Sequence, residues 1–195
     1  MRSRAIAAML LVLLPAVSAC DSDGAEPGGK GSASTTPSPS ASSSASASPT
    51  GPAPATGPVA ELGHTLRYRI PEGERSHVAG SGGLIVVGNF HVEGGIYDIN
   101  GSEQRSTATL EEAGPIEVQV TCSVRDHSSS CKHTGNRTVD GQEVYVIEAE
   151  GEDGRLYEIV GLRNGYLFSV EFEWPNSYAP GRDVVESVLA TIEWK

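Results

Sequence analysis

Apolar residues are spread unevenly along the chain. A continuous run spans residues 5–14, no apolar residue larger than alanine occurs in 21–58, and alternation with polar residues begins after that. Leu66, Tyr68 and Ile70 alternate with Thr65, Arg67 and Arg69 until Pro71 stops the run. A period of two predicts a strand with one buried face. Leu84-Ile85-Val86-Val87 is apolar throughout, which predicts a strand covered on both faces. Ile116, Val118 and Val120 alternate with Glu117, Gln119 and Thr121 and predict another strand. Ahead of it, 106–113 reads as a short helix stopped by Gly114-Pro115.

The clearest pattern covers 143–174. Three strand-like runs, 144–150, 156–162 and 166–174, are separated by 151–155 and by Asn164-Gly165. Asn-Gly is the strongest two-residue hairpin signal, because both positions favour positive φ. That turn places Ile159 opposite Val170 and Tyr157 opposite Phe172, with Tyr166, Phe168, Val170, Phe172 and Trp174 on one buried face. A five-residue loop at 151–155 keeps Tyr145, Ile147 and Ala149 on that face, whereas a four-residue loop inverts them. Asp183 and Glu186 have capping-box spacing. Val184, Val185, Val188, Leu189 and Ile192 then fall at helical intervals, so an amphipathic helix is expected to pack on the sheet, followed by a short extended tail at 192–194.

The early apolar run changes the picture of where the chain works. Arg2 and Arg4 precede it, and it is shorter than the roughly 20 residues a bilayer-spanning helix needs. It reads as an export signal over 1–19. Val17-Ser18-Ala19-Cys20 closes it and resembles the lipobox of bacterial lipoproteins, in which the cysteine is acylated; the residue three before the cysteine is most often Leu, and here it is Val17. Two acyl chains give the double signal that stable anchoring needs. Simple secretion with an unmodified Cys20 is the alternative.

In residues 21–58, Ser, Pro, Ala, Gly and Thr fill every position except Asp21, Asp23, Glu26 and Lys30. Such a segment buries nothing that offsets chain entropy, so 20–58 is expected to be a disordered tether. As a flexible coil it spans about 35 Å, and fully extended it approaches roughly 118 Å. The rest, 59–195, is long enough for a single domain with one core. Lys+Arg total 14 against 25 Asp+Glu, a net charge of −11. That argues against nucleic-acid binding and against adsorption to anionic lipid.

There are 3 cysteines. With Cys20 acylated, Cys122 and Cys131 remain as a pair, and an exported protein favours a disulfide between them. Closing a loop of about ten residues stabilises by about 2.7 kcal/mol. The spacing C-x4-H-x3-C-x-H over Cys122, His127, Cys131 and His133 also contains zinc-ligand types; the disulfide is preferred, with His127 and His133 in an exposed loop.

Three features together are familiar: Tyr68-Arg69-Ile70-Pro71-Glu72-Gly73, the meander through Tyr157 and Tyr166 to Trp174-Pro175, and the closing Val188-Leu189-Ala190-Thr191-Ile192. Over roughly 62–195 this order resembles the PsbP-like fold, and bacterial surface lipoproteins of the LpqN type are similar to it. Where many relatives place Trp after the Pro-x-Gly element, this chain has Glu74, and 91–135 does not align. The resemblance implies an α+β fold, an antiparallel sheet with helices on its faces. It implies accessory or binding roles without a shared catalytic apparatus, and it specifies no ligand.

Residue by residue, little chemistry stands out. Ala79-Gly80-Ser81-Gly82-Gly83 approaches the G-x-S-x-G elbow but is followed by a strand-like run rather than a helix, and reads as a glycine turn. Asp126-His127-Ser128 holds triad residue types that adjacency alone cannot make into a triad. Glu148, Glu158 and Glu171 are expected side by side on three strands opposite the core, where like charges destabilise unless a divalent cation, a basic partner or Arg155 and Arg163 offset them. Walker, dinucleotide, H-E-x-x-H and EF-hand motifs are absent from the sequence. The leading expectation is therefore a non-catalytic lipoprotein, palmitate-type acylated at Cys20 and facing outward from the cell membrane. Its monomeric head would bind an envelope protein or ligand, with no cofactor, metal or catalytic residue assigned. Two alternatives are an extracytoplasmic hydrolase using His77, Ser81 or His127, and a carrier of an apolar ligand held between helix and sheet.

Overall fold

The computed structural model describes residues 51–124, 130–152 and 154–195. The Asn164-Gly165 turn takes positive φ at both positions, 52° and 75°. It joins β8 (Gly154–Arg163) to β9 (Tyr166–Trp174) with Ile159 opposite Val170 and Tyr157 opposite Phe172, the expected register. This hairpin sits inside an antiparallel sheet built also from β3 (His77–Ala79), β4 (Ile85–Val92), β5 (Gly95–Arg105), β6 (Ser130–Val139) and β7 (Gln142–Gly151). The order is β3-β4-β5-β9-β8-β7-β6. A second sheet, β1-β2-β10, comprises β1 (Val59–Glu61), β2 (Leu66–Arg69) and β10 (Glu193–Trp194).

The large sheet buries side chains on both faces. On one, Tyr157, Ile159, Phe168, Val170 and Phe172 join Leu66, Tyr68 and Ile70 from β2 and its end, and Val185, Val188 and Leu189 from helix α2 (Gly181–Leu189). On the other, Ile147, Ala149, Leu156, Val160 and Leu167 meet Ala113 of helix α1 (Leu110–Ser123).

That two-sided burial corrects the register expected for β7. Glu150 lies opposite Arg155, the four-residue-loop register, so Ile147 faces Glu158 and Glu148 faces Tyr157. Val144 and Val146 enter the first core while Ile147 and Ala149 enter the second. A strand apolar on both faces cannot report which way it points.

The strand expected at 116–121 is instead helical, and the helix expected to stop at Gly114-Pro115 runs through both. Thr109 and Glu112 form a reciprocal capping box at its start. Ala113, Gly114 and Thr121 face the sheet, whereas Ile116 and Val120 are exposed. Strand β4, expected to be covered on both faces, is covered on one only at its start: Val86 is fully buried and Ile85 is 62% exposed.

In α2 the expected cap is also different. Pro180 occupies the N-cap without a side-chain hydrogen bond, and Asp183 falls in the first turn. The extended tail at the end is β10, paired to β2. Packing begins ahead of residue 59, because Ala55 is buried and its N–H donates to the Ser187 carbonyl at 2.9 Å. Residues 1–50, which include the export signal, Cys20 and most of the tether, lie outside the described residues.

Candidate functional site

The three glutamates expected in a row are divided between the two faces by the β7 register. Glu158 and Glu171 do lie directly opposite each other. Glu148 lies on the reverse face, where Arg182 of α2 donates to it at 2.7 Å. Arg182 also stacks over the Tyr157 ring at 4.0 Å. Beside it, Arg137 donates to both carboxylate oxygens of Glu186, at 2.9 and 3.0 Å, and to the Tyr157 hydroxyl at 3.1 Å. The Arg137 hydrogen bonds hold the Glu186 carboxyl below its ordinary range. These contacts pin α2 to the sheet.

Glu158 is 4% exposed and accepts a hydrogen bond from the Thr121 hydroxyl at 2.8 Å. Burial first, then the neighbouring Glu171, pushes its carboxyl up to about 7. Burial raises Glu117, on the facing helix, as well. Two carboxyls on paired strands and a third on the helix above them make a site of stored negative charge. Among the described residues no group of three or more His, Cys, Asp or Glu is arranged to hold a metal ion.

Around Glu148 an open depression of about 440 Å³ is bordered by Lys132, Glu148, Glu150, Arg155, Trp174 and Arg182. Arg155 donates to Glu150 at 2.9 Å, so most of its charges are paired internally.

Sequence reasoning missed a third cluster. The Glu103 side chain is fully buried and accepts from the His64 backbone N–H at 2.9 Å and the Thr65 hydroxyl at 2.7 Å. The His64 Nδ1 lies 2.7 Å away, and the imidazole stacks on Tyr166 with ring centroids 4.1 Å apart. The carboxylate fastens the β1–β2 turn to the central strand β5. Its signal was the alternation Tyr97, Ile99, Gly101, Glu103, in which the acid occupies an inward position.

Cys122 and Cys131 form a disulfide, with Cα atoms 5.5 Å apart. It ties the last turn of α1 to β6 rather than bridging two strands, and it leaves neither sulfur for zinc. His133 lies within β6, stacked on Tyr145 with centroids 3.5 Å apart; His127 lies outside the described residues. The 79–83 segment is the glycine turn between β3 and β4, with φ of 76° at Gly80 and 85° at Gly82. Among the described residues no serine hydroxyl is hydrogen-bonded to a histidine ring.

No protein-family model and no curated protein matches the chain. Among solved structures, the solution structure of cyanobacterial PsbP (CyanoP) from Synechocystis aligns with a TM-score of 0.50 and 12% identity, covering 77% of this chain and 98% of that one. The fold is PsbP-like. A crystal structure from Bacteroides thetaiotaomicron aligns with a TM-score of 0.40 and 12% identity, covering 69% of this chain and 49% of its own length. A PsbP-like antiparallel sheet is what the resemblance over roughly 62–195 implied, and the likeness to the solved structure extends to the fold alone.

Proposed function

We propose that this chain is an outward-facing lipoprotein of the LpqN type, held to the cell membrane through acylated Cys20, whose head is a non-catalytic binding module. The observation that carries the reading is the Cys122–Cys131 disulfide. A disulfide of this kind persists in an oxidising compartment, and it consumes two of the 3 cysteines, leaving Cys20 as the one available for acylation. No helix of the described residues is long and apolar enough to cross a membrane.

Support for a binding role comes from the described surface. The open depression around Glu148 is lined by charges that neutralise each other, and the buried carboxylates Glu103 and Glu158 serve packing rather than an exposed reaction centre. The carrier alternative meets a space between α2 and the sheet filled by Val185, Val188 and Leu189.

Cell fractionation of the wild type and of Cys20→Ala tests the proposal. The wild type should partition into detergent-extracted membrane with the disulfide formed, and the variant should be lost from that fraction. Equal partitioning of both, or wild type recovered from the cytosol with free thiols, contradicts it.

A further inference from the structure

Helix α1 covers only part of the sheet face on which it lies. It contacts β6, β7 and β8, Cys122 ties it to β6, and Thr121 reaches Glu158 on β8. At about 100° per residue, Ile116 and Val120 project from the flank opposite Cys122, toward β9, β5 and β4. Both are exposed, at 58% and 52%. On the far side of that open area stands Ile85 of β4, also exposed, and Ile96 of β5 is exposed at the end of the floor. The register puts Ile85, Ile96, Asp98, Asn100 and Ser102 on one face, together with Glu158, Glu171 and Glu173. The result is a trough with aliphatic banks and an acidic floor.

The floor contains an unmet hydrogen-bond acceptor. The Asn100 Oδ1 is buried and accepts no hydrogen bond among the described residues. Beside it, burial raises the Asp98 carboxyl.

We propose that this trough docks a basic amphipathic helix of another protein, whose Lys or Arg side chains meet the floor while its aliphatic side chains pack on both banks. The proposal rests on the binding-module reading and names its partner chemistry. Three inter-strand gaps of about 4.8 Å separate β4 from β8, a width of about 14 Å. A helix with its side chains is about 10–12 Å across and fits. Charge selects the occupant. A second copy of this chain, at net charge −11, would bring acid onto acid. An anionic lipid surface would be repelled in the same way. A purely apolar partner would strip water from Asp98 without giving it a donor, which is costly.

Fluorescence anisotropy with the full chain and a synthetic Lys/Leu amphipathic helix tests this, beside a matched Glu/Leu helix. The Lys/Leu helix should bind and the Glu/Leu helix should not. Ile85→Ser and Val120→Ser, which change no charge, should each weaken binding about tenfold, while Val59→Ser on the other sheet leaves it unchanged. Equal binding to all three variants means diffuse attraction to an acidic surface and overturns the trough. So does concentration-dependent dimerisation abolished by Ile85→Ser, or binding of the unacylated Cys20→Ala chain to anionic vesicles that Ile85→Ser abolishes. A photo-crosslinker at Ile85 or at Lys132, used in intact cells, separates this proposal from its parent. Attachment at Ile85 to a Lys- or Arg-bearing helix supports the trough. A partner captured only from Lys132 overturns the trough and leaves the binding module standing, and capture from neither position counts against both.

Discussion

Glu158 is where a single side chain controls the energetics most visibly. It is enclosed by Glu171 from β9, by Glu117 and Thr121 from α1, and by Ile147 across the β7 pairing, with Ser169 nearby on β9. Burial holds its folded pKa at about 7, above the ordinary glutamate value of 4.5. Between those values the folded chain binds more protons than the unfolded chain, so stability falls as pH rises through this window. Glu158→Gln keeps the shape and removes the titration. At pH 8 the variant should be more stable than the wild type by up to about 3 kcal/mol, and at pH 5 the gap should close to under about 1 kcal/mol. Thermal melts across pH 5–8 read this directly; parallel pH dependence in both proteins would contradict it. The Glu158–Glu171 adjacency was legible in the sequence because one turn, Asn164-Gly165, sets it. The burial was not, because a glutamate flanked by Tyr157 and Ile159 reads as the outward position of a one-sided strand.

At the scale of the element, α1 shows how one pattern can satisfy two periods. Ile116, Val118 and Val120 alternate as in a strand, yet Gly114, Val118 and Cys122 recur at intervals of four on the packed side. Thr109 and Glu112 were the decisive local signal, a capping box three residues beyond where the helix was expected to begin. Pro115 lies inside this helix and withholds the N–H that the Glu111 carbonyl would accept. Pro115→Ala should therefore raise the melting temperature, with a gain on the order of 1 kcal/mol or more. Gly114→Ala should do the reverse, although alanine favours helices. Its Cβ would sit 2.8 Å from the Tyr145 ring, which is also stacked on His133, at a cost of about 1–3 kcal/mol. Denaturant unfolding of both variants checks the pair, and a stabilised Gly114→Ala would show that the ring can yield. Cys131→Ser releases the end of α1 from β6 and should cost about 2–3 kcal/mol, with hydrogen exchange accelerating in α1 before it does in the β8–β9 hairpin.

The whole molecule was legible in proportion to how one-sided its strands are. The β8–β9 hairpin and the C-terminal helix could be placed from sequence because an unambiguous turn or a clean helical stripe defines each. Central strand β5 could not, since Gly101 and Glu103 occupy inward positions where a hydrophobic pattern expects large side chains. Edge strand β6 is polar along nearly its whole length, which suits an exposed edge and conceals it from hydropathy. The β7 slip, the open face of β4 and the early start at Ala55 share one cause: long-range packing assigns them, and no local signal does. What links the head to a function is the proposed division into anchor, tether and head. Intact-mass spectrometry of the protein extracted from membranes tests that division most directly. The account predicts a chain starting at Cys20 that carries a diacylglyceryl group and an oxidised Cys122–Cys131 pair; a chain that retains Met1 with Cys20 unmodified would contradict it.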